Sequence, residues 1–157
     1  MNVSNRKYPT GRALSELTTY QVGAIESAAH RALRQHKDEL LKTYDMTGMD
    51  WYIVGAVSDA GEAGIRLTDL AEMLGTTMGF VTKAIKLLEA KNILYRKANA
   101  KDARSSYIAL NANYHDTVEE IETALRAKLR ESIYGHVTPE ELLTYIQVME
   151  KFSKLKD

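Results

Sequence analysis

A mainly α-helical chain carrying one small β-hairpin is the fold class that the sequence predicts, on three observations. Apolar residues recur at steps of three and four along most of the 157 residues, the period of a helix with one buried face. Two short segments near residue 100 alternate instead, as strands do. Only two prolines interrupt the chain, so long helices are permitted.

After a frayed start, a long helix is predicted over residues 13–41, with Val22, Ile25, Ala29, Ala32, His36 and Leu40 on one face. "YDMTGMDWYIVGAVSDAGEAG" breaks that helix and starts a second. Thr47 caps it with Asp50 as a weak capping box, Trp51, Val54 and Val57 share a face, and Gly55, Gly61 and Gly64 mark the loosening at its end. In "IRLTDLAEMLG", Thr68 is a natural N-cap, Leu70, Ala71 and Leu74 face inward, and Gly75 supplies the positive φ of a sharp helix end. The next helix, 77–91, starts at cap Thr77. Its buried stripe is Val81, Ala84, Ile85 and Leu88, which leaves Met78, Gly79, Thr82, Lys83 and Lys86 outward.

"NILYRK" and "SSYIAL" are strand-like and the polar "ANAKDAR", 98–104, joins them as a hairpin. Asn111 is a candidate cap for a helix striped by Val118, Ile121, Leu125, Leu129 and Ile133. In the last helix Thr138 caps, Pro139 takes the first helical position and Glu141 completes a capping box. Its stripe is Leu142, Tyr145, Ile146, Met149 and Phe152.

At this length a single domain buries roughly 68–70% of its unfolded surface. With no cysteine, disulfides, thiolate metal sites and cysteine nucleophiles are excluded. No apolar run approaches the ~20 residues of a membrane span, and "MNVSNRKYPTGR" lacks the apolar stretch of a signal peptide. A soluble, cytoplasmic protein is expected. The net charge is zero, yet between Thr76 and Arg104 seven cations face two carboxylates, leaving +5 against −5 elsewhere. A positive segment on a negative body suits an anionic partner.

Helix, glycine turn, helix and hairpin together describe a winged helix-turn-helix. The second helix of such a motif enters the major groove of DNA. Its N-terminus holds a phosphate, Gly79 permits close approach, and Lys83 donates to guanine or to a phosphate. Thr77, Thr82 and Lys86 complete the helix set, and Lys101 joins it from the hairpin. Phe80 is open to two readings, contact with a thymine methyl or packing in the core.

In wording, "RLTDLAEMLGTTMGFVTKAIKLLEAKNILYRKANAKDARSSYIAL" resembles the MarR (multiple antibiotic resistance regulator) family of winged helix-turn-helix transcription factors. "LAEMLG", the "LLEAKNIL" joint and "KDARS" carry the resemblance, which covers Thr47 to Leu110 in wording and the whole chain in layout. It implies a winged helix-turn-helix core over 46–110, within one domain over 1–157, and a helical dimerisation region over 13–41 and 111–155. It implies a dimeric transcriptional regulator, a repressor, reading a pseudo-palindromic operator. Helix 77–91 would lie in the major groove and wing 98–104 in the minor groove. Arg104 would enter the minor groove, where negative potential is concentrated, and Asp102 would orient it. The bland alternative is a surface Asp–Arg pair of little energetic consequence. "LNANY" after the second wing strand and "TTMGF" at the start of the helix depart from the usual family wording.

The resemblance also implies release of DNA by a small aromatic or phenolic effector bound between the dimer helices and the winged region. Trp51 is the candidate wall of that pocket, although a lone tryptophan also serves as ordinary core. For a metal, His30 and His36 share a face badly, and His115 with Glu119 makes half a site at most. No cofactor and no membrane partner are expected. No nucleophile–base pair suggests an enzyme. The rival function is a winged-helix module that binds protein and not DNA.

Overall fold

The computed structural model describes residues 16–99 and 101–155, with backbone alone for Asn99 and residues 102–105. The first helix, α1 (Thr19–Lys42), leads into α2 (Gly48–Asp59), followed by a short strand β1 (Ile65–Arg66), α3 (Leu67–Met73) and α4 (Met78–Ala90). The hairpin β2 (Leu94–Asn99) and β3 (Asp102–Leu110) comes next, then α5 (His115–Ser132) and α6 (Pro139–Ser153). The fold class is the predicted one: mostly helix, with a small antiparallel sheet in the order β1–β3–β2.

The core gathers buried residues from every element except α6. Leu41 of α1, Ile53, Val54 and Val57 of α2, Leu70 of α3 and Ile85 of α4 are fully buried, and so are Ile108 of β3 and Ile121 of α5. Leu94 joins them from β2. Such clustering is the main favourable term in folding, worth about 1.5–3 kcal/mol per fully buried aliphatic side chain.

Several boundaries differ from the sequence prediction. The long helix starts at Thr19, where Thr18 and Gln21 form a reciprocal capping box; of the predicted start, residues 13–15 lie outside the described residues. Gly55 lies inside α2, whereas Gly61 and Gly64 take positive φ after it. Thr68 is not the cap of α3. Pairing of Ile65 with Ile108 and of Arg66 with Tyr107 holds both residues extended, so the helix starts directly off the strand at Leu67 and Arg66 occupies the cap position. That third strand was not foreseen, because two residues are too few to show alternation. The hairpin is also longer than predicted. Pairing runs from Leu94↔Leu110 to Asn99↔Asp102, with a register shift between Ala98 and Asn99, so most of 98–104 is strand. Asn111 does not cap α5. Its amide instead donates to the Asn92 carbonyl at 2.8 Å, and a 3-10 turn, Ala112–Tyr114, precedes the helix. The capping boxes of α2 (Thr47, Asp50) and α6 (Thr138, Glu141) form as predicted.

Gly64 has φ 74° and ψ 179°, a conformation reserved for glycine, and an added Cβ would stand 2.7 Å from the Ile108 carbonyl oxygen. Gly61 has φ 65° with open space around it. Gly61→Ala is therefore expected to cost roughly 1–2 kcal/mol of stability for the left-handed backbone alone. Gly64→Ala should cost clearly more, because β1 must also move off β3. Urea titrations of the two variants check the order; equal midpoints would refute it.

Candidate nucleic-acid interface

The turn between α3 and α4 closes through the backbone. Gly75 (φ 60°) donates its N–H to Glu72 at 3.1 Å, and Thr76 donates to Ala71 at 3.1 Å. This paired closure ends a helix with a left-handed residue. Two residues later the Thr77 hydroxyl accepts the Phe80 N–H at 3.3 Å and starts α4. The roll of α4 follows from its buried stripe: Val81 and Ile85 are at 0% exposure, Leu88 at 1% and Ala84 at 8%. All four predicted stripe residues are inside.

The opposite face is open. Met78, Gly79, Lys83 and Lys86 are exposed, and among the described residues no carboxylate pairs with either lysine. Lys83 and Lys86 stand three apart and so share one face. Thr82 is half-buried, and its hydroxyl donates to the Met78 carbonyl at 2.7 Å, leaving its lone pairs outward. Phe80 is not core: it is 48% exposed. It sits two residues from Met78, about 200° around the helix, and lines a cleft with His30, Arg34 and Lys37 of α1.

Not every cation of the positive segment faces outward. Arg96 donates to Glu89 at 3.1 Å. Lys97 donates to the Glu62 carbonyl at 2.8 Å. Lys91 turns back to Asp45, reaching its carbonyl at 2.6 Å and its carboxylate at 2.9 Å. The local charge of +5 is thus narrower as a surface feature than the sequence suggests. Lys101 is exposed between the wing strands. The side chains of Asp102 and Arg104 lie outside the described residues; their backbone continues β3.

Trp51 is half-buried against the core and lines a groove of about 620 Å³ with Leu74, Val118 and Glu122, so it serves as core and as wall at once. Among the described residues no three His, Asp or Glu side chains converge as a metal site, and no helix is long and apolar enough to cross a membrane. The sequence reading missed the Lys91–Asp45 and Asn111–Asn92 contacts. Lys–Asp at a separation of 46 has no periodic signature, and only the fold brings the pair together.

Comparison with known proteins agrees with this architecture. The MarR family model matches residues 44–105, overlapping most of the stretch whose wording carries the resemblance. No curated protein matches the sequence. AbsC, a MarR family transcriptional regulator from Streptomyces coelicolor, superposes with a TM-score of 0.74 at 20% identity, covering 88% of this chain and 95% of its own. MepR of S. aureus, in a DNA complex, superposes at 0.70 with 23% identity over 89% of this chain and 100% of its own. A MarR mutant from E. coli, complexed with operator DNA, gives 0.73 at 19% identity over 83% and 92%. At these identities the likeness is one of fold.

Gly79 has open space where a Cβ would stand, so nothing in the protein requires glycine there. Gly79→Ala is expected to raise stability by roughly 0.5–1 kcal/mol, from lower backbone entropy in the unfolded chain. Thermal unfolding reads this, and a destabilised variant would contradict it.

Proposed function

We propose that this chain is a MarR-family transcriptional regulator: a cytoplasmic homodimer that binds a pseudo-palindromic operator, acts as a repressor and is not an enzyme. The observation that carries this reading is the open face of α4, where Lys83 and Lys86 stand, among the described residues, without carboxylate partners beside a β-hairpin. Seated in the major groove, Lys83 donates to a guanine or a phosphate, and Thr82, whose proton is held by the Met78 carbonyl, accepts from a base amino group. The N–H groups of Met78 and Gly79 precede the bonds that Thr77 accepts from Phe80 and Val81. They point out of the helix start, where a phosphate is favoured by geometry and by the helix dipole. Thr77 sets that start and Gly79 lets the duplex approach. From the wing, Lys101 meets phosphate and Arg104 enters the minor groove, with Asp102 orienting it.

Dimerisation is inferred from unburied apolar surface. No residue of α6 is buried; Leu143 is 56% exposed, Ile146 53% and Phe152 59%. Tyr20, Val22 and Ile25 at the start of α1 are also exposed. Exposed apolar side chains in this number mark an interaction site, and a twofold partner supplies the same surface in return. Residues 13–41 and 111–155 then form the dimerisation region around the 46–110 core. The symmetry sets the half-sites about 34–36 Å apart. A small aromatic or phenolic effector in the groove at Trp51 would release DNA only by binding one dimer geometry more tightly than the other.

Selection of bound duplexes from a random pool tests the activity; enrichment of a palindrome is the expected result, and no enrichment rejects it in favour of a protein-binding module. On the selected duplex, Lys83→Ala and Arg104→Ala are each expected to weaken binding at least tenfold, about 1.4 kcal/mol, with the fold intact. Loss of a phosphate contact by either should lower the salt slope by about one. Ile146→Asp combined with Phe152→Asp should yield a folded monomer in sedimentation; a persistent dimer would place the interface elsewhere.

A further inference from the structure

The two ends of α4 are held very differently. Its first half carries the outward residues and is held, among the described residues, by the buried stripe, the Thr77 cap and the turn from α3. Its far end is tied to three neighbours. Lys91, the residue that closes the helix, donates to both the carbonyl (2.6 Å) and the carboxylate (2.9 Å) of Asp45, in the elbow between α1 and α2. Asn92, at φ 57°, accepts the Asn111 amide at 2.8 Å, from the junction of β3 with α5. Glu89 holds Arg96 of β2 at 3.1 Å. The elbow is itself tied onward, since the Tyr44 hydroxyl donates to Glu120 of α5 at 2.8 Å.

We infer that the Lys91–Asp45 and Asn111–Asn92 contacts are positioning contacts, through which the α1 and α5 arms set the angle of α4 on the duplex. This rests on the DNA-binding reading above and adds to it the residues that set the geometry. The 13 residues of α4 span roughly 20 Å at 1.5 Å each. A tilt of ~10° about the fastened end therefore displaces the free end by about 3 Å, close to the rise of one base pair. Neither contact adds much to stability. Asp45 is 90% exposed and Lys91 35%, and exposed pairs contribute little. Their consequence is angular: they remove the freedom of the winged core, with α4 fixed in it by its buried stripe, to tilt relative to the arms. In a twofold dimer the two α4 helices then keep one separation, and the operator is read with one spacing between half-sites.

The test uses the full chain and the duplex obtained by selection, together with duplexes whose central spacer is one base pair longer or shorter. The wild type is expected to bind the selected spacing at least tenfold more tightly than either alternative. Lys91→Met, which keeps the carbon stem and loses both contacts, should shrink that preference at least threefold while leaving the salt slope and the thermal midpoint near wild type. Asn111→Asp, isosteric but without a donor toward Asn92, should do the same. If Asn111→Asp does not fold, Lys91→Met decides alone. A merely structural role would lower affinity for all three spacers alike, or lower the melting temperature, and either result overturns the inference. An unchanged spacing preference in folded Lys91→Met overturns it as well, while the DNA-binding reading stands. If the wild type enriches no duplex, both readings fail together.

Discussion

The burial of one stripe on α4 is the constraint on which the rest depends. Val81, Ala84, Ile85 and Leu88 pack into the core shared with α2, α3 and the sheet. Successive residues in a helix are ~100° apart, so a roll of one residue would bring Lys83 or Lys86 toward the core and carry Val81 and Ile85 to the surface. Two lost aliphatic burials at about 1.5–3 kcal/mol each, with a lysine facing desolvation, make that alternative inaccessible. The side chains that build the core therefore also decide which residues meet a ligand. On the proposed reading, fold and recognition are two sides of one helix.

Three helix ends share one solution. α1, α3 and α4 close on Asp45, Gly75 and Asn92, all at positive φ. In each, the next residue donates back into the helix: Met46 to Leu41 at 3.1 Å, Thr76 to Ala71 at 3.1 Å and Ile93 to Leu88 at 3.0 Å. Glycine adopts this conformation without strain, and aspartate and asparagine tolerate it better than most residues. Asp45 adds what glycine cannot. Asp45 brings a carboxylate to meet Lys91, and the left-handed turn at Asn92 presents its carbonyl to Asn111. The turns that end the helices are thus also the joints between them.

How much was legible follows from what kind of signal each feature leaves. The α4 stripe, the Thr77 cap, the Gly75 turn and the capping boxes at Thr47 and Thr138 were all readable, because each is set by residues within four positions of one another. β1 was not, since its two residues become a strand only by pairing with β3. Thr68 satisfied the local rule for a cap and was overruled by that pairing. Asn111 looked like a cap for the same local reason, but its amide had a stronger claim from a carbonyl across the fold. The outward set Met78, Gly79, Lys83 and Lys86 was legible as the complement of the stripe. The commitment of Lys91, Arg96 and Lys97 was not, because charge counting along the chain is blind to which way a side chain turns.

The distribution of buried surface separates what a single chain completes from what it leaves open. The winged core closes on itself: α2, α3, α4 and the sheet each lose a full apolar stripe to solvent-free packing. The arms do not. α6 has no buried residue, and of α1 only Leu41 is fully inside. On the proposed reading, each recognition surface is therefore rigid and finished, while the distance between two of them depends on arms held by apolar contact between chains and by a few polar ties near Asp45. A ligand that binds one arm geometry better than another by 1.4 kcal/mol shifts their ratio tenfold. On that reading it need not touch α4 to do so, because the far end of that helix is fastened to the arms.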